Sequence, residues 1–387
     1  MTLELVRLLL VPPLALAHAA FWGILLGNLA YLRRQRPSPP APLPRLSVCI
    51  PARNEAKNLR RLLPSLRAQD YPNVEVLVWD DGSEDATWDV LTASDNPDLT
   101  PLRGSDPPAD WVGKVHALYQ CTRRASGDCY LFLDADAELR RPDALRRLVA
   151  RHAGTSTRVS SGFPFLTDGA LLLVSLVPHA LLRSLPWPLV ERTQLPALSA
   201  LNGQCWLVDR ETYHAHEPHA AVQDAVLEDV AIGRYLKAQG HPPTLLDVQD
   251  LVAVHMYESF GDAWRGFRKN AYLLLGGTAP TFVLMYTGFL LTWVVAPLLS
   301  LWFVVSLYGL KLVTDRASGM PLHISLLAPV SYVLGLALQL DSALHHWADR
   351  VTWKGRAVPS SSSPSAAPAE MPPEPSNVPS GASESEG

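Results

Sequence analysis

Charge is scarce in this chain: Asp, Glu, Lys and Arg make up only 18% of its 387 residues, while 48% are hydrophobic. The formal net charge of −4 resides in the last segment, which from Ala357 onward holds Glu370, Glu374, Glu384 and Glu386 and no Lys or Arg. The rest is electrically balanced, so there is no basic excess to bind nucleic acid. Cysteine is scarce too. Cys49, Cys121, Cys129 and Cys205 form no CxxC pair and no metal-ligand spacing, and read as ordinary thiols of a reducing compartment. There is no GxxxxGK[ST] and no GxGxxG, which weighs against an NTPase or a dinucleotide-dependent dehydrogenase.

What the chain has is apolar sequence at its two ends. Leu5 to Leu32 carries one charge, Arg7, and is followed by Arg33, Arg34 and Arg36. About 20 apolar residues cross a bilayer. A cleaved signal peptide is the alternative, because Ala17-His18-Ala19 mimics a cleavage site. The apolar stretch continues past that point, however, and the arginines come after it. With positive charge inside, the bulk of the chain lies in the cytoplasm. Thr281 to Leu310 and Leu322 to Leu340 read as two further spans joined through Lys311, Asp315 and Arg316, and the region Ala271 to Val313 is long enough to hold two short ones. Arg350, Lys354 and Arg356 follow. The expectation is a multi-pass cell-membrane protein with an anchor over 1–36, a soluble domain over 45–269 and a membrane region over 270–356. The Ser/Pro/Glu tail over 357–387 is too poor in apolar residues to fold.

The soluble middle alternates. Leu46 to Ile50, Val74 to Trp79 and Tyr130 to Leu133 read as short buried strands. Leu59, Leu62, Leu63 and Leu66 recur at helical spacing, and Ala86 to Thr92, Lys114 to Arg124 and Pro142 to His152 read as helices. Strand–helix alternation predicts an α/β domain with a mostly parallel sheet. Ligands of such sheets gather beyond the carboxyl ends of the strands. There the second strand runs into Asp80-Asp81-Gly82-Ser83, and LFLDADAEL carries an oily strand into Asp134 and Asp136. Asp and Ser also end strands for plain turn chemistry. Two acid sets on one sheet edge point instead to a hard divalent cation, Mg²⁺ or Mn²⁺, completed by substrate phosphates. Such an ion neutralises a departing diphosphate. A third acid set, Glu228-Asp229, opens a helix from Val230 to Ala238. It reads either as a dipole cap or as a general base for an acceptor hydroxyl.

In order and spacing, IPARNE from Ile50 to Glu55, DDGS from Asp80, LDAD from Leu133 and Glu228-Asp229 resemble the family 2 glycosyltransferases of GT-A fold. Trp111-Val112-Gly113-Lys114, Asn202-Gly203-Gln204, His255-Met256-Tyr257 and VTWKGR from Val351 extend the likeness to the membrane-anchored branch that includes carotenoid-acid and hopanoid-associated glycosyltransferases. The resemblance implies that Pro51, Ala52, Asn54, Glu55, Asp80 and Asp81 bind the nucleoside of a nucleotide-sugar donor, a UDP-sugar by preference. It implies that Asp134 and Asp136 hold the diphosphate through the metal, Asp136 as the direct ligand, and that Asp229 is the base with Glu228 beside it. Transfer would invert the anomeric carbon. Lys114 is a candidate for phosphate, the bland alternative being an exposed helix lysine. His255 reads as a hydrogen-bonded core histidine sooner than a ligand. Trp264, Arg265, Phe267 and Lys269 read as interfacial anchoring.

One departure is informative. Processive polysaccharide synthases of this family carry QxxRW after the base, and here the region reads YESFGDAW from Tyr257. The broken apolar stretch Ala170 to Leu185 reads as a half-buried interfacial helix, with internal core second. Anchors on both sides of the domain favour a membrane-lipid acceptor. The rival readings are a processive synthase and a catalytically silent scaffold that binds nucleotide-sugar.

Overall fold

The computed structural model describes residues 3–357 except 36, 39–41, 105, 168 and 354–355. The tail expected to lack structure lies outside the described residues, apart from Ala357. Seven strands form the central sheet: β1 (Leu46–Ala52), β2 (Val74–Asp80), β3 (Leu99–Arg103), β4 (Cys129–Leu133), β6 (Val159–Phe163), β8 (Cys205–Asp209) and β9 (Pro243–Asp247), in the order β3-β2-β1-β4-β8-β6-β9. All neighbours pair in parallel except β8, which runs antiparallel to β4 and β6. The near-continuous apolar strands fit a sheet covered on both faces. Along β1, Val48 and Ile50 face one core with Leu59, Leu62 and Leu63 of the helix Ala56–Arg67, while Cys49 faces the other with Phe132 and Leu118. This is the mixed α/β, mostly parallel architecture that the alternation predicts.

The first three strands are laid down outward from β1, and β4 then returns to its other side. The strand order therefore reverses between β1 and β4, where open α/β sheets form their ligand crevice. A second sheet braces that crevice. Its strands are β5 (Ala137–Leu139), β7 (Phe165–Leu166) and β10 (Val252–Val254), in the order β5-β10-β7. β5 begins directly after Asp136, and the N–H of His255, directly after β10, donates to the Asp136 carbonyl at 3.0 Å.

The N-terminal helix and the helices after β10 pack mainly on one another and on the two short helices after β7. The helix Leu3–Arg34 runs through Pro12 and Pro13 without a break. Glu4–Arg34 and Ala279–Leu299 are the two helices, among the described residues, long and apolar enough to cross a bilayer. The two longer C-terminal stretches are divided, the first as the alternative of two short segments within Ala271 to Val313 has it. Thr281 to Leu310 does not form one rod: Ser300 is extended (φ −159°, ψ 142°) and its hydroxyl caps the next helix, Leu301–Ala317. Leu322 to Leu340 is likewise divided at Leu327, and the helix Ala328–Trp347 carries Gln339, Asp341, His345 and His346. Exposed large apolar side chains still concentrate on these helices, among them Leu16, Leu284, Leu298, Leu301 and Val333.

The stretch expected to lie half-buried at an interface is instead two short helices, Leu171–Val174 and Leu176–Ser184. Leu173, Val174, His179, Leu182 and Arg183 are buried. His179 bonds to Thr314 and Tyr332, and Asn28 of the N-terminal helix donates to the Leu182 and Leu185 carbonyls. Its proline and its charged residues break the pattern without making it a surface: they face partners inside the bundle.

Candidate functional site

The tips of β1 and β2 are stitched together. Asn54, at φ 54°, adopts the left-handed conformation that Asn tolerates better than most residues. From there its N–H donates to Ser83 Oγ (2.9 Å), and its side-chain oxygen accepts from the Glu84 N–H (2.8 Å). Glu55 N–H donates to Thr87 Oγ1 (2.8 Å). Asp80 and Asp81 are both buried at the end of β2. Asp80 Oδ1 accepts from the Ser83 N–H (3.0 Å), whereas its Oδ2 is buried with no hydrogen-bond partner among the described residues. Arg53 lies over this turn and donates to the Asp81 carbonyl (2.6 Å). Pro51 and Ala52 complete the β1 tip, paired with Trp79 and Asp80. The structure thus brings Pro51, Ala52, Asn54, Glu55, Asp80 and Asp81 to one corner.

The second corner is an acid cluster around one lysine. β4 ends in Asp134 and Asp136. Lys114, in the first turn of the helix Gly113–Thr122, is not the exposed helix lysine of the bland reading. Its Nζ lies 2.7 Å from Asp134 Oδ1, 3.1 Å from Asp134 Oδ2 and 2.9 Å from Glu228 Oε1. Glu228 and Asp229 open the helix Glu228–Ala238, where its dipole favours them. The backbone N–H of Gly203 donates to Asp229 Oδ2 (3.2 Å), and a Cβ at Gly203 would stand 3.3 Å from both Asp229 Cβ and Lys114 Nζ. Glycine is what lets the loop Asn202–Gln204 approach this closely. The loop is pinned from the sheet by Ser161 Oγ, which accepts from the Asn202 N–H (2.8 Å).

Burial and neighbouring charge separate the acids. Burial, reinforced by Glu228, raises Asp229 to about 6. Burial also raises Asp134, with Lys114 opposing. For Glu228 burial pushes upward, but Lys114 and Lys269 together bring it below its ordinary value. Lys114 is held well above the usual lysine range, because its two acid partners outweigh its burial. Two neighbouring carboxylates pushed in opposite directions are a pattern of acid–base sites.

Lys269 belongs to this cluster, and the sequence reading had left it out with the interfacial run. It sits on the helix Phe260–Leu274, where burial lowers it and Glu228 is its largest opposing influence. Trp264 of the same helix does turn away, donating to Asp341 (2.8 Å). His255 Nε2 lies 2.8 Å from Glu138 Oε2, a hydrogen-bonded histidine beside the acid loop.

Asp134 and Asp136 offer hard oxygen donors, the chemistry that suits Mg²⁺ or Mn²⁺. Among the described residues no group of three or more His, Cys, Asp and Glu gathers to enclose a metal ion. The donor set therefore fits an ion that keeps one or two protein carboxylates and completes its shell from a ligand.

Residues 47–216 match the family model described as glycosyl transferase family 2. Over that stretch the chain is similar to the family 2 glycosyl transferases. The match takes in both strand-tip motifs and Lys114, and stops short of Glu228 and Asp229. The chain is similar to 4,4'-diaponeurosporenoate glycosyltransferase of Staphylococcus aureus strain USA300, 28% identical over 251 residues. That alignment covers 61% of this chain and 63% of the relative, so less than two thirds of the relative's length is spanned. The protein of the same name in strain MRSA252 matches with the same identity and coverage. In fold the chain resembles a mannosyltransferase from Pyrobaculum calidifontis solved in complex with GDP-Man and Mn²⁺. The TM-score is 0.52 at 20% identity, over 86% of this chain and 97% of that one. At that identity the likeness is one of fold, the GT-A arrangement of the family 2 domain.

Proposed function

We propose that this family 2 glycosyltransferase moves one sugar from a nucleotide-sugar, a UDP-sugar by preference, to the hydroxyl or carboxyl of a membrane lipid, with inversion. The observation that carries the reading is Asp229: a carboxylate pushed up to about 6, held by the Gly203 N–H beside Lys114, Asp134 and Glu228. A base is most effective when it titrates near the working pH. The Staphylococcus relatives are named for 4,4'-diaponeurosporenoate, a carboxylate, and the long apolar helices here are in keeping with an acceptor held at a membrane.

In this reading the corner from Pro51 to Glu55, with Asp80 and Asp81, takes the nucleoside. The buried, unpartnered Asp80 Oδ2 is an acceptor that an N–H of the base would satisfy. Asp134 and Asp136 would hold Mg²⁺ or Mn²⁺, which supplies charge neutralisation at the departing diphosphate. Lys114 adds a fixed positive charge on the same side. Asp229 takes the proton of an acceptor hydroxyl as its oxygen attacks the anomeric carbon opposite the leaving nucleotide. An acceptor carboxylate has already lost its proton, and Asp229 then orients rather than deprotonates.

The helices Glu4–Arg34 and Ala279–Leu299 would anchor the domain, 45–269, to the cytoplasmic face of the cell membrane, with Arg33 and Arg34 at the inner boundary. The test uses membranes containing the full chain, labelled UDP- and GDP-sugars, and Mn²⁺ or Mg²⁺. Label should enter the organic-solvent extract, need the metal and, where the acceptor is a hydroxyl, be lost in Asp229→Asn. Label in insoluble polymer alone would make the protein a synthase. Nucleotide binding without any transfer would leave a scaffold.

A further inference from the structure

Two of the lysines and arginines are buried in the helix bundle, Lys311 and Arg183, and they are satisfied differently. The Lys311 ammonium bonds to both Asp315 oxygens (2.5 and 2.7 Å) and to Ser175 Oγ (3.0 Å). Arg183, on the helix Leu176–Ser184, is 7% exposed and makes no ion pair or hydrogen bond among the described residues. Its Nε is sealed from solvent without a partner. Polar groups of the same bundle are engaged elsewhere. His179 bonds to Thr314 and Tyr332, and Asp315 is taken by Lys311 and Ser325. What holds Arg183 is aromatic: its Cζ lies 4.7 Å from the ring centroid of Phe21 and 4.6 Å from that of Trp293. The two rings attract the guanidinium and leave its fork of N–H donors unused. That fork matches a carboxylate or phosphate through two parallel bonds. A buried charge left unpaired is strongly destabilising, and an ionisable side chain inside a membrane bundle marks a binding site sooner than a support.

Asn28 sets the level in the bundle. Its side chain donates to the Leu182 and Leu185 carbonyls on either side of Arg183, at 2.8 Å each. Asn28 stands about 8 Å along the helix from Arg33. Arg183 therefore joins the bundle near the proposed cytoplasmic boundary, and its guanidinium reaches inward to Phe21. Basic pockets between membrane helices on that side suit anionic lipid head groups. We propose that Arg183 is the seat for the anionic group of a membrane lipid, a phosphate or carboxylate that enters between the helices Leu3–Arg34 and Ala279–Leu299. Phe21 and Trp293, one from each helix, are its walls. An acceptor acid and a phospholipid present the same oxygens to the guanidinium, and the experiment separates them. The inference rests on the membrane reading of these helices and is independent of the donor site.

The experiment is native mass spectrometry of the full chain in uncharged detergent, with thermal melts alongside. The probes are dioleoylphosphatidylglycerol, oleate, dioleoylphosphatidylcholine and inorganic phosphate. The proteins are wild type, Arg183→Met, Arg183→Lys and, as a control, Arg33→Gln at an exposed arginine. Wild type should retain one anionic lipid about tenfold better than phosphatidylcholine, the factor of one charge-assisted hydrogen bond. Preference for phosphatidylglycerol makes the seat one for phospholipid, and preference for oleate one for an acceptor-like acid. Arg183→Met should lose the preference, Arg183→Lys, which keeps the charge without the fork, should keep part of it, and Arg33→Gln all of it. The anionic lipid should raise the melt of wild type and leave Arg183→Met unchanged, while without lipid Arg183→Met melts no lower than wild type. Equal retention of anionic and zwitterionic lipid by wild type overturns the inference and leaves the membrane reading standing. A preference that survives in Arg183→Met and disappears in Arg33→Gln does the same, since it is surface attraction. Inorganic phosphate that raises the melt as far as lipid also overturns it. A chain that stays monodisperse without detergent and retains no lipid overturns the membrane reading and this inference together.

Discussion

The backbone N–H of Gly203 donates to Asp229 Oδ2 at 3.2 Å, joining a loop pinned by the sheet to the first turn of the helix Glu228–Ala238. Together with the bond from the Val230 N–H to Asp229 Oδ1 (2.8 Å), it fixes where the proposed base points. Replacing Gly203 with Ala puts a Cβ 3.3 Å from both Asp229 Cβ and Lys114 Nζ, so one of them must move. Misplacing a catalytic group by about 1 Å costs on the order of 10²-fold in rate. A contact of 3.3 Å asks for a shift of only a few tenths of an ångström, so Gly203→Ala should lower kcat by less than that factor while leaving the melting temperature close to wild type. Steady-state kinetics beside a thermal melt checks both.

The pH dependence follows from Asp229. Because burial and Glu228 raise it to about 6, its basic form is lost as pH falls through 6. With a hydroxyl-bearing acceptor, kcat/KM should therefore rise with pH and level off above that value. Asp229→Asn should remove about 10²–10⁴-fold of the rate and the acidic limb with it. A limb that persists in the Asn variant would assign it to another group.

The same shift predicts a stability effect of opposite sense. A carboxyl whose folded pKa lies above its unfolded value penalises the native state once ionised, and the penalty grows as pH rises from about 4 to 6. Asp229→Asn should accordingly melt higher than wild type at pH 8 and gain little at pH 4. Paired melts at the two pH values give the answer.

Behind the site, Phe132 and Trp206 stack across β4 and β8 with ring centroids 4.1 Å apart, both essentially buried. Phe132→Ala should cost about 3–5 kcal/mol. Denaturant titration of the detergent-solubilised protein would measure it, and a cost near zero would mean that the two strands are not paired as described.

On the N-terminal helix, Leu16 is 73% exposed near the middle of the candidate span. If that face meets lipid, Leu16→Asp carries an insertion penalty of about 3 kcal/mol. The membrane-inserted share of this helix, read by protease protection of an N-terminal tag, should fall while Ala279–Leu299 still anchors the chain. Unchanged protection would show that the face is covered by protein.

The acids were legible because each interrupts an apolar strand abruptly, and an oily run that stops in two carboxylates has few structural reasons to do so. β6 was not legible. Its Ser160 and Ser161 are fully buried, yet their hydroxyls are satisfied by His152 and by the Asn202 N–H, contacts that lie outside any local pattern. Lys269 was missed for a related reason. It shares a short run with Arg265 and Arg268, and only the packed helix separates them, Arg268 reaching Asp341 and His345 of Ala328–Trp347 while Lys269 faces Glu228. The break at Ser300 is local by contrast: its hydroxyl accepts from the Trp302 N–H two residues on, a cap hidden in a run that is otherwise apolar.

The small sheet β5-β10-β7 has a consequence for biogenesis. It ties the loop holding Asp136 to Val252–Val254, more than a hundred residues later in the chain. Contacts this distant form late in folding. A ribosome that has made both strand-tip motifs has therefore not yet made the brace of the Asp136 loop. That loop stays without its partner strand until β10 has emerged, and the apolar stretch that follows is then the next to leave the tunnel. Completion of this small sheet and emergence of the C-terminal apolar helices are placed side by side in time by the order of the sequence.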